Sequence, residues 1–309
     1  MKNPSNVITI AAHSAAITTG SHPTCPATLN EADSVCAPFL KWVGSKRRLL
    51  PQLLALLPKG RRLIEPFVGA GSVFMGSDYQ RYMLADTNAV LMGLYVLLQS
   101  DPSAVLTASK GLFVESNRCD WAYHTLRSRY NDPATSDFER CVMFVYLNKF
   151  AFNGLYRTNK RGMMNAPYAH HARLPGFPAQ AMQGFAQKLG NPNAPVELIC
   201  AGFEETMARA QPGDVVYCDP PYLPLEHGRA CFTAYGTQSF GLDSHQRLTG
   251  LALELANQGI TVVISNHDSR LTRELYAGAT LHKMRAHRSL AAHQSARGDA
   301  DELVAVFTP

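Results

Sequence analysis

Asp214-Val215-Val216-Tyr217-Cys218-Asp219-Pro220-Pro221-Tyr222 is the stretch whose reading decides the fold. A β-branched, apolar run of this length reads as a buried strand. It stops at two prolines, which have no N–H to give to a ladder. Asp219 and Tyr222 are therefore presented at the carboxyl end of a strand, where open α/β sheets hold their ligands. The tetrapeptide Asp219-Pro220-Pro221-Tyr222 is a polar claw: a carboxylate acceptor, a turn that fixes a backbone carbonyl, and an aromatic face. It suits a flat ring bearing an exocyclic amine. Asp219 and the carbonyl of Pro220 can each accept one N–H while Tyr222 stacks on the ring.

On the amino-terminal side, structure is expected to begin at Pro38, and a helix follows between Pro51 and Pro58. Arg62 to Phe74 then reads as a strand, a turn through Phe67, Gly69 and Gly71, and the start of an apolar helix. The glycines allow close approach of a ligand to the backbone. The next strand, Tyr82 to Ala85, ends in Asp86-Thr87-Asn88, which sets a carboxylate 15 residues beyond Gly71. A glycine turn under a ligand, with an acid at the tip of the next strand for ribose hydroxyls, is the logic of nucleotide binding. Gly-Ala-Gly without a third glycine argues against a pyrophosphate cofactor. Asn88 is the expected cap of a helix reaching about Gln99.

On the carboxyl-terminal side, Leu223 to Phe240 reads as a long loop able to close over a bound base. A helix capped by Asp243 runs to Asn257, and a strand spans Ile260 to Ser265. His267 and Asp268 read as a structural pair rather than a proton relay. A polar loop with His293 and Arg297 leads to a last strand, Leu303 to Phe307.

Between about 100 and 195 the alternation of strand and helix stops. Helical patterns cover 103–116, 119–130 and 137–150. The 57 residues from Arg140 to Val196 contain no Asp or Glu. They carry Arg140, Lys149, Arg157, Lys160, Arg161, Arg173 and Lys188, with His170 and His171. Interleaved are Phe150, Phe152, Asn153, Tyr156, Asn159, Asn165 and Tyr168. Cations for phosphates, Asn and Arg for base edges, and aromatics for stacking are the footprint of nucleic-acid recognition.

Composition is compatible with that reading. The chain has 309 residues, 46% of them hydrophobic, and a formal charge of +5 with pI near 8.8. Length suggests two domains. Seven scattered cysteines without a Cys-x-x-Cys pair point to free thiols, as in the cytoplasm, and neither they nor the eleven scattered histidines suggest a metal site. No run of 18 apolar residues suggests a membrane partner. Residues 1–36 read as a disordered extension. Nothing in the sequence calls for an oligomer, so a monomer is expected.

The motifs taken together resemble the Dam family of DNA adenine-N6 methyltransferases. They are Phe39-Leu-Lys-Trp-Val-Gly-Ser-Lys46, Glu65-Pro-Phe-Val-Gly-Ala-Gly-Ser-Val-Phe74, Leu84-Ala-Asp-Thr-Asn88, Tyr146-Leu-Asn-Lys-Phe-Ala-Phe-Asn-Gly-Leu155, the claw strand, Phe232-Thr-Ala-Tyr235, Ile264-Ser-Asn-His-Asp268 and Asp301-Glu-Leu303. They occur in the family's order from Pro38 to Pro309. The resemblance implies an α/β, Rossmann-like class I methyltransferase sheet (37–105 and 195–309) with an inserted helical target-recognition domain (106–194). It implies S-adenosylmethionine as cofactor and double-stranded DNA as partner, with GATC as the usual site and the adenine flipped out of the helix. Cytosine N4, RNA and a catalytically silent DNA-binding relative are the alternatives. By resemblance Trp42, Lys46, Asp86 and Asp219 match cofactor-binding positions, beside Phe67, Gly69 and Gly71. Lys41 matches a lysine that reads guanine, and Asn153, Leu155 and Arg157 match a hairpin that contacts target bases. Lys160 and His170 complete the expected DNA face. The chain departs from the family at His170-His171, at Phe152 and in the loop Gln294 to Asp299.

Overall fold

Residues 38–223, 240–287 and 299–309 are described by the computed structural model, and seven strands among them form one sheet. The order is β3 (Val196–Cys200), β2 (Tyr82–Asp86), β1 (Arg62–Glu65), β4 (Asp214–Cys218), β5 (Thr261–His267), β7 (Asp299–Phe307), β6 (Thr280–His287). The first five run parallel, while β7 is antiparallel to both its neighbours. From β1 the chain winds outward through β2 and β3 to one edge; from β4 it winds the other way. The order reverses between β1 and β4, the switch point at which open α/β sheets hold ligands in the crevice beyond the carboxyl ends of their strands. The Rossmann-like reading is therefore correct, and the claw strand β4 lines the crevice. All five residues of β4 are buried, as expected of a parallel strand covered on both faces.

Helices follow from their caps. Helix α1 (Leu50–Leu56) starts with Pro51 in its first turn, where its missing N–H costs nothing. Helix α2 (Ser72–Gly76) leaves the glycine turn. Asn88 caps α3 (Ala89–Ser100), its side chain accepting from Leu91 N, as the sequence suggested. Asp101 caps α4 (Pro102–Gly111), α5 is Asp120–Tyr130, and a capping box from Ser136 to Glu139 opens α6 (Asp137–Phe150). Helix α7 (Ala179–Leu189), α8 (Phe203–Met207), α9 (Leu242–Asn257) and α10 (Arg270–Leu275) complete the set. Among the described residues no single helix is long and apolar enough to cross a membrane.

Three departures from expectation have physical causes. Strand β3 was not anticipated, because as an edge strand it is half exposed and its pattern is weak. Helix α7 was hidden in a stretch read as irregular, although Met182, Phe185, Ala186 and Leu189 line one buried face at helical spacing. Asp243 does not cap α9; Gly241 takes the extended cap conformation and Asp243 lies in the first turn, where its charge meets the positive end of the helix.

The sheet divides two cores. On one face Leu84, Tyr217 and Val263 share a buried cluster with Tyr123, Phe144, Tyr146 and Phe185 of the helical region. On the other, Val216, Ile264 and Leu303 meet Met207, Leu248, Ala252 and Tyr276. The helical region thus packs on the sheet instead of closing a core of its own. The expected 224–239 part of the base-covering loop, residues 1–36, and the loop with His293 and Arg297 lie outside the described residues.

Candidate active site

The claw is held from four sides. Lys46, 4% exposed, places Nζ 2.8 Å from Asp219 Oδ1 and also donates to Gly44 O at 2.8 Å. Ser265 Oγ on β5 donates to the same Oδ1 at 2.9 Å and lies 3.0 Å from the Tyr217 hydroxyl. Tyr222 donates to Glu302 Oε2 on β7 at 2.9 Å. The backbone after the prolines is fixed by Asn266, whose Oδ1 accepts from Leu223 N, and by His245 Nε2, 3.0 Å from Pro221 O. A carbonyl can only accept, so His245 carries its proton on Nε2. Burial lowers its pKa to about 4, with the Pro221 bond opposing, and the ring is neutral.

Lys46 also lies over the Tyr222 ring, 4.7 Å from its centroid, and His267 meets that ring edge-on at 4.7 Å. Burial, Asp219 and Glu302 push the Tyr222 phenol well above its usual range, so it stays protonated. Asp268 is engaged elsewhere, by Arg273 at 2.6 and 2.8 Å, which keeps its carboxyl low. This agrees with a structural role for that residue.

Across the crevice the glycine turn is built by hydrogen bonds: Gly71 N to Val68 O, Gly69 N to Asp86 Oδ2 at 3.2 Å, and the Tyr95 hydroxyl to Gly69 O. Asp86 also accepts from Asn88 N. Burial nevertheless raises its pKa, against these backbone donors. Both glycines have left-handed backbones, with φ of 47° and 69°. A Cβ added to Gly69 would lie 2.8 Å from Trp42 Nε1, and one added to Gly71 2.8 Å from Phe185 Cε2. The expectation that both glycines simply clear space for a ligand is thus incomplete, since the turn also lets Trp42 and Phe185 pack tightly. Trp42 in turn stacks on Tyr156. Phe67 stacks on Phe203 and meets Phe240 edge-on, an aromatic cluster packed at the second core.

Glu65 ends β1 beside the claw. It is 2% exposed and its Oε1 has no partner. Burial pushes its pKa up to about 8; Lys188 and a Phe74 backbone bond oppose this, while Asp219 adds to it. Glu65, Ser265, His245 and Glu302 were not singled out from the sequence. Each gains its role only when strands distant in the chain lie side by side. Their motifs were visible for Glu65, Ser265 and Glu302, but nothing marked His245 within its helix.

The DNA-reading candidates occupy a hairpin. Ala151 bridges Tyr168 and Thr158 bridges Met164, with Asn159 N donating to Met163 O around a tip at Lys160, Arg161 and Gly162. Phe152, Asn153, Lys160, Arg161 and His170 are exposed, and Leu155 and Arg157 partly so. Asn153 and His170 hold positive φ, 54° and 48°. Arg157 is braced by Asn165, with Nε to Oδ1 at 2.7 Å and Nη2 to the backbone O at 2.9 Å. Exposed Lys41 adjoins the hairpin base. Lys149 is pushed down to about 8 by burial and then by Lys41. Not every cation of the acid-free stretch serves DNA. Arg140 donates to the carbonyls of Tyr130, Asp132 and Thr135, and Lys188 to Ser77 O at 2.6 Å. Those two hold the fold, because buried carbonyls at helix ends need donors. Phe150 and Tyr168 are buried in the core rather than offered for stacking. Cys119, Cys141, Cys200 and Cys218 are free thiols. Among the described residues no cluster of three His, Cys, Asp or Glu is arranged to hold a metal ion.

This arrangement has known counterparts. The model of the D12 class N6 adenine-specific DNA methyltransferases matches residues 42–290. A DNA adenine methylase of Vibrio cholerae serotype O1 is 43% identical over 272 residues, 88% of this chain and 96% of the relative. The DNA adenine methylase of Escherichia coli K12 is 42% identical over 271 residues, 88% and 95% of the two chains. That of Serratia marcescens is 39% identical over 270 residues, 87% and 97%.

Proposed function

We propose, since the chain belongs to the D12 class of N6 adenine-specific DNA methyltransferases, that it methylates adenine N6 within GATC in double-stranded DNA. The methyl donor is S-adenosylmethionine and the adenine is flipped into the crevice. The observation that carries the chemistry is the claw carboxylate. Lys46 and Ser265 both engage Asp219 Oδ1, which leaves Oδ2 for the target amine.

The fit of the donor rests on the chain's own groups. Asp86 presents a carboxylate at the tip of β2 for ribose hydroxyls, beside the turn at Gly69 and Gly71. Phe67 and Trp42 offer flat apolar walls, and the buried Oε1 of Glu65, at the end of β1, lacks a hydrogen-bond partner. These residues, with Lys46 and Asp219, are the proposed binding set. When bound, S-adenosylmethionine supplies an electrophilic methyl group on a sulfonium.

The remaining work falls to the protein. Flipping the base costs a few kcal/mol, and stacking on Tyr222 returns about 1–3 kcal/mol. An aniline-like amine is a poor nucleophile, because its lone pair is delocalised into the ring. Hydrogen bonds from N6 to Asp219 Oδ2 and the Pro220 carbonyl draw the nitrogen toward a tetrahedral shape. The negative charge of Asp219 stabilises the developing positive charge on nitrogen, and fixed positions supply much of the acceleration. The carboxylate, ion-paired to Lys46, acts as an acceptor, and the surplus proton passes to water after the N–C bond forms. On the DNA side Lys41, Asn153, Leu155, Arg157, Lys160 and His170 are the proposed contacts.

The test is methylation of a GATC duplex with radiolabelled S-adenosylmethionine, with the product nucleoside identified by mass spectrometry. N6-methyladenine in the GATC duplex, and none when that adenine is replaced, is the expected result. Label on cytosine, or equal label on unrelated duplexes, would refute the reading.

A further inference from the structure

Asn148, in the last turn of α6, is buried, 3% exposed. Its Oδ1 accepts from Lys41 N at 2.8 Å. Its Nδ2 donates to Lys41 O at 2.7 Å and to Gly154 O at 3.3 Å. The amide orientation is dictated by its partners, because a backbone N–H only donates and carbonyls only accept. Asn148 thus grips both polar groups of one residue, Lys41, as a neighbouring strand would, and ties the same residue to the base of the recognition hairpin.

A second contact points the same way. Gly154 has φ of 66°, and a Cβ there would clash with Lys41 Cβ and lie 2.7 Å from its Cδ. The stem of Lys41 therefore lies directly against the hairpin backbone, where only glycine allows it. Five residues on, the same segment delivers Lys46 to Asp219.

We propose that Asn148, with Gly154, is a specificity-positioning residue: it locks Lys41 onto the hairpin so that the two read the DNA as one rigid unit. The inference rests on the reading of Lys41 as the guanine contact in the target. A lysine on a flexible stem is a point charge that reaches any acceptor or phosphate. Base discrimination needs its backbone held in register with the hairpin residues that contact neighbouring bases. Asn148 supplies that register without touching DNA.

The test compares wild type, Asn148→Asp, Lys41→Ala and the double variant on GATC duplexes and on duplexes with only the guanine replaced. Asn148→Asp keeps the size and one acceptor but sets a second oxygen against two carbonyls. Both equilibrium binding, which needs no methyl transfer, and kcat/KM are measured. Preference for guanine should fall roughly ten- to hundred-fold in Asn148→Asp, as for Lys41→Ala, since one base contact is worth about that much. The double variant should lose no more than either single one. An unchanged guanine preference, additive losses, or an equal drop on every duplex would overturn the proposal; the last is what a merely structural asparagine gives. Should Asn148→Asp fail to fold, Gly154→Ala must show the same selective loss, and wild-type preference in that variant would also overturn it. A wild type that binds selectively yet transfers no methyl group to adenine sinks the proposed function and leaves this inference standing.

Discussion

The claw and the recognition hairpin solve opposite problems. At the claw the groups that shape the turn are held from four distant parts of the chain: Lys46 before β1, His245 on α9, Ser265 and Asn266 on β5, Glu302 on β7. The hairpin is braced from within, by Asn165 on Arg157 and Asn159 at its own tip, and from neighbouring helices, by Tyr123 and Arg127 on Ala166 O, Asn131 on Met164 and Asn148 on Gly154 O; its candidate reading residues are exposed or partly exposed. Chemistry that depends on sub-ångström placement is embedded where packing allows no alternative. The proposed recognition residues, which must meet a partner, stay at the surface on that braced frame. The two regions meet in the segment from Lys41 to Lys46.

If that division is real, variants at the claw change rate without changing sequence preference, and variants at the hairpin do the reverse. The largest effect is expected for Asp219→Ala. Methyl transfer should be lost while duplex binding in a gel-shift titration stays near wild type. Transfer at wild-type rate would end the claw account. Next comes Arg157→Ala, which should cost about 1–3 kcal/mol of discrimination at one base with kcat on the best site little changed. A uniform loss over all sequences would instead assign Arg157 to phosphate contact. Ser265→Ala removes one of the two donors on Asp219 and should lower kcat by a factor corresponding to about 1.5 kcal/mol, a hydrogen bond to a charged group. Sequence preference should not move, and a changed preference would blur the division.

Two smaller effects are read through pH. Glu65 has its folded pKa raised from 4.5 to about 8. Between those values the native state keeps a proton that the unfolded chain gives up, so stability falls as pH rises through that window and levels off above it. Glu65→Gln should flatten this slope in thermal melts recorded from acid to neutral pH; an unaltered slope would exclude Glu65 as its source. At the hairpin side Lys149 is held at about 8, chiefly by burial. It is charged below that pH and neutral above it. Bound DNA favours the charged form, so binding above about pH 8 should take up a proton and weaken as pH rises. Calorimetry in two buffers of different ionisation enthalpy measures this uptake. Identical heats would remove Lys149 from the DNA-facing field.

Local pattern made much of the fold legible. Val215 to Cys218 read as a buried strand, and Asn88, Pro51 and the glycine turn marked their helices without help from distant residues. The elements that were missed have weak local signals. β3 is a half-exposed edge, α7 follows a proline-rich stretch, and the start of α9 looked like an Asp cap while Gly241 had the backbone for it. At the candidate site, the sequence singled out Asp219, Tyr222, Asp86 and the glycines, because the chemistry proposed for them depends on residue type and near spacing.

Tertiary structure alone decided who holds them. Whether Lys46 pairs with Asp219, whether Ser265 and Tyr217 share a hydrogen bond, and whether Asn148 grips Lys41 depend on residues 48 to 173 positions apart. The pairing of β4 with β5 is what brings Ser265 to Tyr217 and Asp219. Tertiary structure also decided that Arg140 and Lys188 serve backbone carbonyls rather than phosphates. Sequence specifies which groups can donate and accept through residue type. Which donor meets which acceptor is set by the packing of the chain into one closed arrangement, where a buried polar atom is costly unless it finds a partner.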